Sequence, residues 1–247
     1  VSNAFGAGPV TLNGGNLNPL GAGNQQAGGL PFQNATAQTN GFSLLSASPV
    51  FAGEGITNAA VAAASVALSG PFSLGTNALY LRGQRNTAGT LSGTVAGDGP
   101  AALVKMDLGA WTLSGANAFT GRVTVADGTL KLGAAGALPP SAPLQLSGGL
   151  LDLGGYWVTN GALSISAGTL SNGTLCATSY AGTDAGVVRA SLAGDAGLVK
   201  SGNGTLTLAS SNLYSGATTV NAGILQIAQR VGLYNGDEAQ WTDANIV

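Results

Sequence analysis

The stretch LVKMDLGAWTLSGANAFTGRVTVADGTLKL, residues 103–132, returns as LVKSGNGTLTLASSNLYSGATTVNAGILQI at residues 198–227. The offset is a constant 95 residues, and the alignment needs no gap. Leu103-Val104-Lys105 answers to Leu198-Val199-Lys200, and Gly109, Thr112, Leu113 and Asn117 answer to Gly204, Thr207, Leu208 and Asn212. Gly121, Thr124, Val125, Gly128 and Leu130 answer to Gly216, Thr219, Val220, Gly223 and Leu225. Trp111 is replaced by Leu206 and Phe119 by Tyr214, so bulk is kept where identity is lost. Long-range repetition of this kind marks an architecture of stacked similar units. Such units need each other's apolar faces and need no active site.

Strand signals dominate around the copies. Thr205-Leu206-Thr207-Leu208, Thr129-Leu130-Lys131-Leu132 and Leu163-Ser164-Ile165 alternate with period two, which puts one row of aliphatic side chains on one face. Residues 144–175 hold six such short runs, separated by turn sequences such as Gly148-Gly149, Gly154-Gly155, Asn160-Gly161 and Asn172-Gly173. A sandwich or barrel of hairpins would use short strands of matched length joined by two-residue loops. Here the run lengths vary and similarity recurs at long range, which favours a solenoid whose strands pair coil on coil. The expected fold is all-β, a right-handed parallel β-helix (β-solenoid) with a loop-rich N-terminal region. With about 20–25 residues per coil the chain makes about ten coils, and the offset corresponds to about four.

Residues 86–228 are read as the solenoid proper. Residues 1–85, rich in Gly, Asn, Gln and Ala near their start, are read as an irregular cap or the first coils. Residues 229–247 break the pattern and read as an atypical tail or a linker to a further strand, ending on Ala244-Asn245-Ile246-Val247. The Ala-rich run within 59–68 fits a short helix or a buried strand equally.

Composition excludes several functions. Of 247 residues, 7% are charged, against roughly 25% in ordinary domains, and the net charge is −2. Eight scattered Lys and Arg make no basic face, so nucleic acid is not an expected partner. No apolar run reaches the length of a membrane helix. The N-terminus shows no signal-peptide pattern, so the chain reads as a mature product or a segment of a longer one. No cofactor or metal is expected, since His is absent and Cys176 is the single cysteine. Cys176 reads as a small buried thiol.

The segment from Gly202-Asn203-Gly204-Thr205-Leu206-Thr207-Leu208 through Asn212-Leu213-Tyr214-Ser215-Gly216 to Gly223-Ile224-Leu225 resembles the autotransporter-associated β-strand repeat. The first copy follows the same pattern with Trp111 at a Leu position and Phe119 at the Tyr position. The resemblance implies a parallel β-helix in a secreted bacterial surface protein, hence an extracellular or cell-surface location. The positions singled out for structural roles are Asn117, Phe119, Gly121, Asn212, Tyr214 and Gly216: turn-forming amides, corner rings and corner glycines.

Parallel β-helices also serve as carbohydrate-active enzymes, which need two carboxylates about 5–10 Å apart. Asp98 and Asp195 occupy matching settings and read as turn formers, as does Asp184. Asp237-Glu238, the one adjacent acidic pair, reads as a solvated loop, with a lone calcium ion at Asp237, Glu238 and Asp243 as the lesser alternative. No catalytic site is therefore expected. The leading function is a non-catalytic, self-associating building block of an extracellular bacterial surface fibre, stalk or sheath, with copies of itself or adjoining repeats as partners. The alternative is a passenger adhesin for surfaces or glycans, which an exposed strip from Tyr80, Tyr156, Trp157 or Tyr180 would favour. A carbohydrate-active enzyme ranks third.

Overall fold

The structure, a computed structural model, describes residues 65–69, 71–76, 78–83, 88–229 and 232–240. It also describes the earlier strands Val10–Leu12, Gly15–Leu20, Leu30–Gln33, Thr36–Gln38, Phe42–Leu44 and Val50–Ala52. Over the described residues the chain winds into a β-solenoid of about eight turns. Three faces recur in order around each coil, and strands stack in parallel from coil to coil.

The first face carries Leu79–Leu81, Ala101–Lys105, Arg122–Val125, the start of Leu144–Asp152, the start of Leu163–Ser171, Tyr180–Gly182, Leu198–Lys200 and Thr218–Val220. The second runs from Ser65–Leu68 and Ala88–Leu91 through Ala110–Leu113 and Thr129–Leu132 to Thr205–Leu208 and Ile224–Ile227. The third is split. Phe72–Ser73, Val95–Gly97 and Ala118–Phe119 belong to one sheet, and Trp157–Asn160, Thr174–Ala177, Ser191–Gly194 and Leu213–Tyr214 to another. Between them the coil carries a 3-10 turn at Ala135–Ala137 followed by Pro139-Pro140. Proline has no N–H to donate and cannot sit in a central ladder, so the third face must break there.

Inside, like sits on like. Leu68, Leu91, Leu113 and Leu132 stack in register on the second face, each fully buried. Each contributes on the order of 1.5–3 kcal/mol by leaving water. A parallel stack rewards identical neighbours because every inward position meets its own counterpart one coil away.

The two copies lie on the same faces, five coils apart rather than four. The steps are Leu103 to Val123, Val123 to Leu144, Leu144 to Leu163, Leu163 to Tyr180 and Tyr180 to Leu198. Coils of about 20 residues, shorter than assumed, account for the difference. The Ala-rich run resolves in part: Ser65–Leu68 is a strand, while residues 59–64 lie outside the described ones, as do Glu54 and 241–247. The early strands join the same ladders, with Phe42–Leu44 against Phe72–Ser73 and Val50–Ala52 against Leu79–Leu81.

Matched positions of the two copies differ in burial. Leu113, Val125, Leu130 and Leu208 are buried, but Val220 is 39% exposed and Leu225 only half-buried. In the first copy Leu146 covers Val125 and Leu151 covers Leu130. Among the described residues, the strands of Val220 and Leu225 pair on one side only. An inward position is dry only when the next coil closes over it.

Candidate functional site

The repeat residues converge on two interior devices. Asn117 Oδ1 accepts the Val95 N–H at 2.7 Å from the coil below, and its Nδ2 donates to Ala137 O at 2.6 Å on the coil above. Asn212 repeats this with the Leu192 N–H at 2.9 Å and Gly232 O at 2.6 Å. Each amide therefore bolts three consecutive coils, a longer reach than the local turn bonds expected of it. Phe119 and Tyr214 are buried two residues further along. Gly121 and Gly216 sit where a Cβ would collide with the backbone of the preceding coil, at Gly99 O and Gly197 N.

The second device was not foreseen. Lys105 and Lys200 are fully buried. Lys105 Nζ donates to Met106 O at 2.7 Å, Asp107 O at 2.7 Å and Asp127 O at 3.1 Å. Lys200 Nζ donates to Ser201 O at 2.6 Å, Gly202 O at 2.8 Å and Ala222 O at 3.1 Å. Burial pushes the Lys105 ammonium down to about 8, against the opposing charges of Asp107 and Asp127. The signal was in the sequence, since both copies open on Leu-Val-Lys. Nothing in it showed that the lysine points inward.

Three tyrosine rings pack together at the corner where the third face passes into the first, near the end of the described solenoid. Tyr180 and Tyr214 have centroids 5.9 Å apart, and Tyr214 and Tyr234 5.5 Å apart. Tyr180 Oη donates within the corner, to Ala193 O at 2.6 Å or Leu175 O at 2.8 Å, and accepts the Ala177 N–H at 2.9 Å. Burial raises its pKa and drives that of Tyr214 well above the ordinary phenol value.

Most of the described carboxylates are hydrogen-bonded, some within a turn and some to the next coil. Asp152 accepts the Gly154 N–H and the Asn172 amide, Asp184 the Gly204 N–H, Asp195 the Ser215 hydroxyl, and Asp237 the Ala239 N–H. Asp127 accepts its neighbour's N–H at Gly128, and Asp107 pairs with Arg82 at 2.8 Å. Asp98 and Asp195 flank the same corner of the solenoid five coils apart, a rise of about 24 Å, too far for a hydrolytic pair. Asp243 lies outside the described residues.

The aromatic strip does not assemble. Tyr180 is buried, Tyr80 is half-buried on the first face, and Trp157, 59% exposed, stands on the third. Tyr156 is half-buried and donates to Gly133 O. Trp157 has Thr174 and then Ser191 in register above it. Cys176 is not a core thiol: it sits on the outward row of its strand and is half-buried, with Leu175 and Ala177 pointing inward. Among the described residues no helix is long and apolar enough to cross a membrane.

Comparison with known proteins agrees with this geometry. Residues 103–132 and 198–227 match the passenger-associated-transport-repeat family, segment for segment the two copies above. Over 168 residues, 62% of its length, the chain is 35% identical to the adhesin BmaC autotransporter of Brucella suis biovar 1 (strain 1330). It spans 5% of the length of that relative. No solved structure matches the chain. The chain thus resembles autotransporter passenger repeats, carried on a β-solenoid.

Proposed function

We propose that this chain is a non-catalytic segment of a bacterial surface passenger, lying outside the cell, and that it serves as a self-associating block of a fibre, stalk or sheath. The observation that carries the reading is how the repeat is used. Its amides, lysines, corner rings and glycines are all committed to joining coil to coil. The carboxylates of Asp107, Asp127, Asp152, Asp184, Asp195 and Asp237 are likewise tied into a turn, the next coil or an ion pair. A rod that spends its polar groups on its own rise is built for length. The small share of a far longer relative that it covers fits one section of such a rod. Electron micrographs of the purified chain test this. Linear or laterally packed assemblies are expected, and a field of single compact particles at every concentration tried would contradict it.

A second reading, adhesion, is favoured by Trp157 and by the similarity to an adhesin. An exposed indole beside a row of hydroxyls, Thr174 and Ser191, is a surface on which a neutral sugar ring can stack. Glycan-array binding that disappears in Trp157→Ala, with the fold intact by circular dichroism, would favour this reading over the purely structural one.

A further inference from the structure

The first face has one inward column that runs Leu81, Lys105, Val125, Leu146, Ile165, Gly182, Lys200, Val220 in unbroken register. Lysine enters this otherwise apolar column twice, once per repeat copy. A lysine stem packs among such neighbours easily, but its ammonium demands compensation when buried. The compensation is built from the main chain. At the corner that follows, the backbone takes left-handed conformations at Asp107 (φ 61), Gly128 (φ 63), Gly202 (φ 75) and Gly223 (φ 73). Such turns aim successive carbonyls inward. Two come from the lysine's own coil and one from the next, at matched distances in both copies. A Cβ on Gly128 would lie 2.6 Å from Lys105 Nζ, and one on Gly223 2.7 Å from Lys200 Nζ. Glycine at those two positions is thus required for backbone angle and for room.

We propose that each repeat copy encloses a cation site, ringed by three main-chain carbonyls from two coils, and that the chain fills it with its own lysine. Carbonyl rings of this type replace the hydration shell of a small monovalent cation. Lys105 and Lys200 do so covalently tethered, which fastens one coil to the next without a metal. The class of ligand the cage accepts is a primary ammonium or an alkali cation of similar size. This stands whether or not the rod also binds a surface.

The full chain carrying Lys200→Ala, and separately Lys105→Ala, provides the test. Thermal midpoints are measured at equal ionic strength in choline, potassium and ammonium chloride. The wild-type midpoint should not depend on which cation is present. Each variant should fall by at least about 4 °C in choline and regain part of that loss in ammonium or potassium, saturably. No fall, or a fall that ammonium and potassium restore no better than choline, overturns the proposal. Should Lys105→Ala fail to fold, Lys200→Ala near the upper end of the described solenoid and the wild-type chain remain decisive. In wild type, two lysine ammonium proton signals should exchange slowly with water by NMR. Two signals exchanging as fast as those of exposed lysine would overturn the proposal.

Discussion

Gly89 lies in register directly beneath Trp111 on the second face, and a methyl group in its place would sit inside the indole ring. The ring is buried and its Nε1–H donates to Arg82 O at 2.8 Å. Tryptophan fits at this position of the repeat because the coil below offers no side chain. Gly186 lies beneath Leu206 in the same way.

Gly89→Ala should therefore destabilise the chain by about 1–3 kcal/mol through overpacking. Trp111→Leu should cost a similar amount through lost burial and the lost hydrogen bond to Arg82 O. The double variant should be less destabilised than the two single effects added together, because leucine leaves room for the new methyl group. Denaturant midpoints of the four proteins measure this, and simple additivity would show that the two positions do not constrain each other.

Asn117 and Asn212 make a second pair of matched sites. Replacing either with Leu removes a donor and an acceptor at once and leaves a buried N–H and a buried carbonyl without partners. The expected loss is about 1–3 kcal/mol per orphaned group. Asn→Asp keeps the acceptor toward the lower coil but forfeits the donor toward Ala137 or Gly232. Hydrogen exchange should then show faster opening at Val95 or Leu192 in the Leu variants and retained protection there in the Asp variants.

The stacking architecture was legible because identity recurred at a fixed offset and each short run alternated with period two. The number of coils between the copies was not, because corners differ by a few residues from coil to coil: Leu163 to Tyr180 is a shorter step than Leu79 to Leu103. The break in the third face could have been read from Pro139-Pro140, two residues that cannot donate to a ladder. The lysine cages were hidden for a different reason. Lysine in an alternating run is ordinarily taken to face water, and Lys131, which is exposed, does face it. Only the three-dimensional register shows Lys105 sharing a column with Leu81 and Val125. The exposure of Cys176 was likewise set by strand phase, with Leu175 and Ala177 taking the inward positions.

The Lys105 ammonium gives a pH dependence of defined sign. Its pKa falls to about 8 on folding, from the ordinary 10.5 in the unfolded chain. Between those values the unfolded state holds more protons than the folded one, so the unfolding free energy rises with pH. Below pH 8 both states are protonated and the contribution is flat. The neutral amine keeps two N–H donors for the three carbonyls, so the cage loses one of its three bonds and does not collapse. Chemical denaturation at pH 7, 9 and 10.5 should show wild type gaining on Lys105→Met across that range. A wild type that loses ground to the variant as pH rises would reverse the assignment.

The upper end of the described solenoid presents Val220, Ile224 and Ile227 to solvent, with exposures of 39%, 59% and 37%. Their strands have ladder partners on one side among the described residues, through Leu198–Lys200 and Thr205–Leu208. A strand edge left in this condition templates further pairing unless charge or a cap prevents it. Charge is scarce across the chain at 7% of residues. The third face at this end is better covered: Leu233 and Tyr234 are buried there, and the Tyr234 hydroxyl reaches Thr218 and Gly216. Association should accordingly proceed through the first and second faces. Light scattering at micromolar concentration should report oligomers. Val220→Lys with Ile224→Lys should shift the population toward monomer while leaving the melting transition of the lower coils in place, since repeat stacks propagate local changes only to near neighbours. Oligomers that persist unchanged in the double variant would locate the contact elsewhere on the rod. A wild type that stays monomeric would remove self-association from the proposed function and leave the adhesive reading to stand alone.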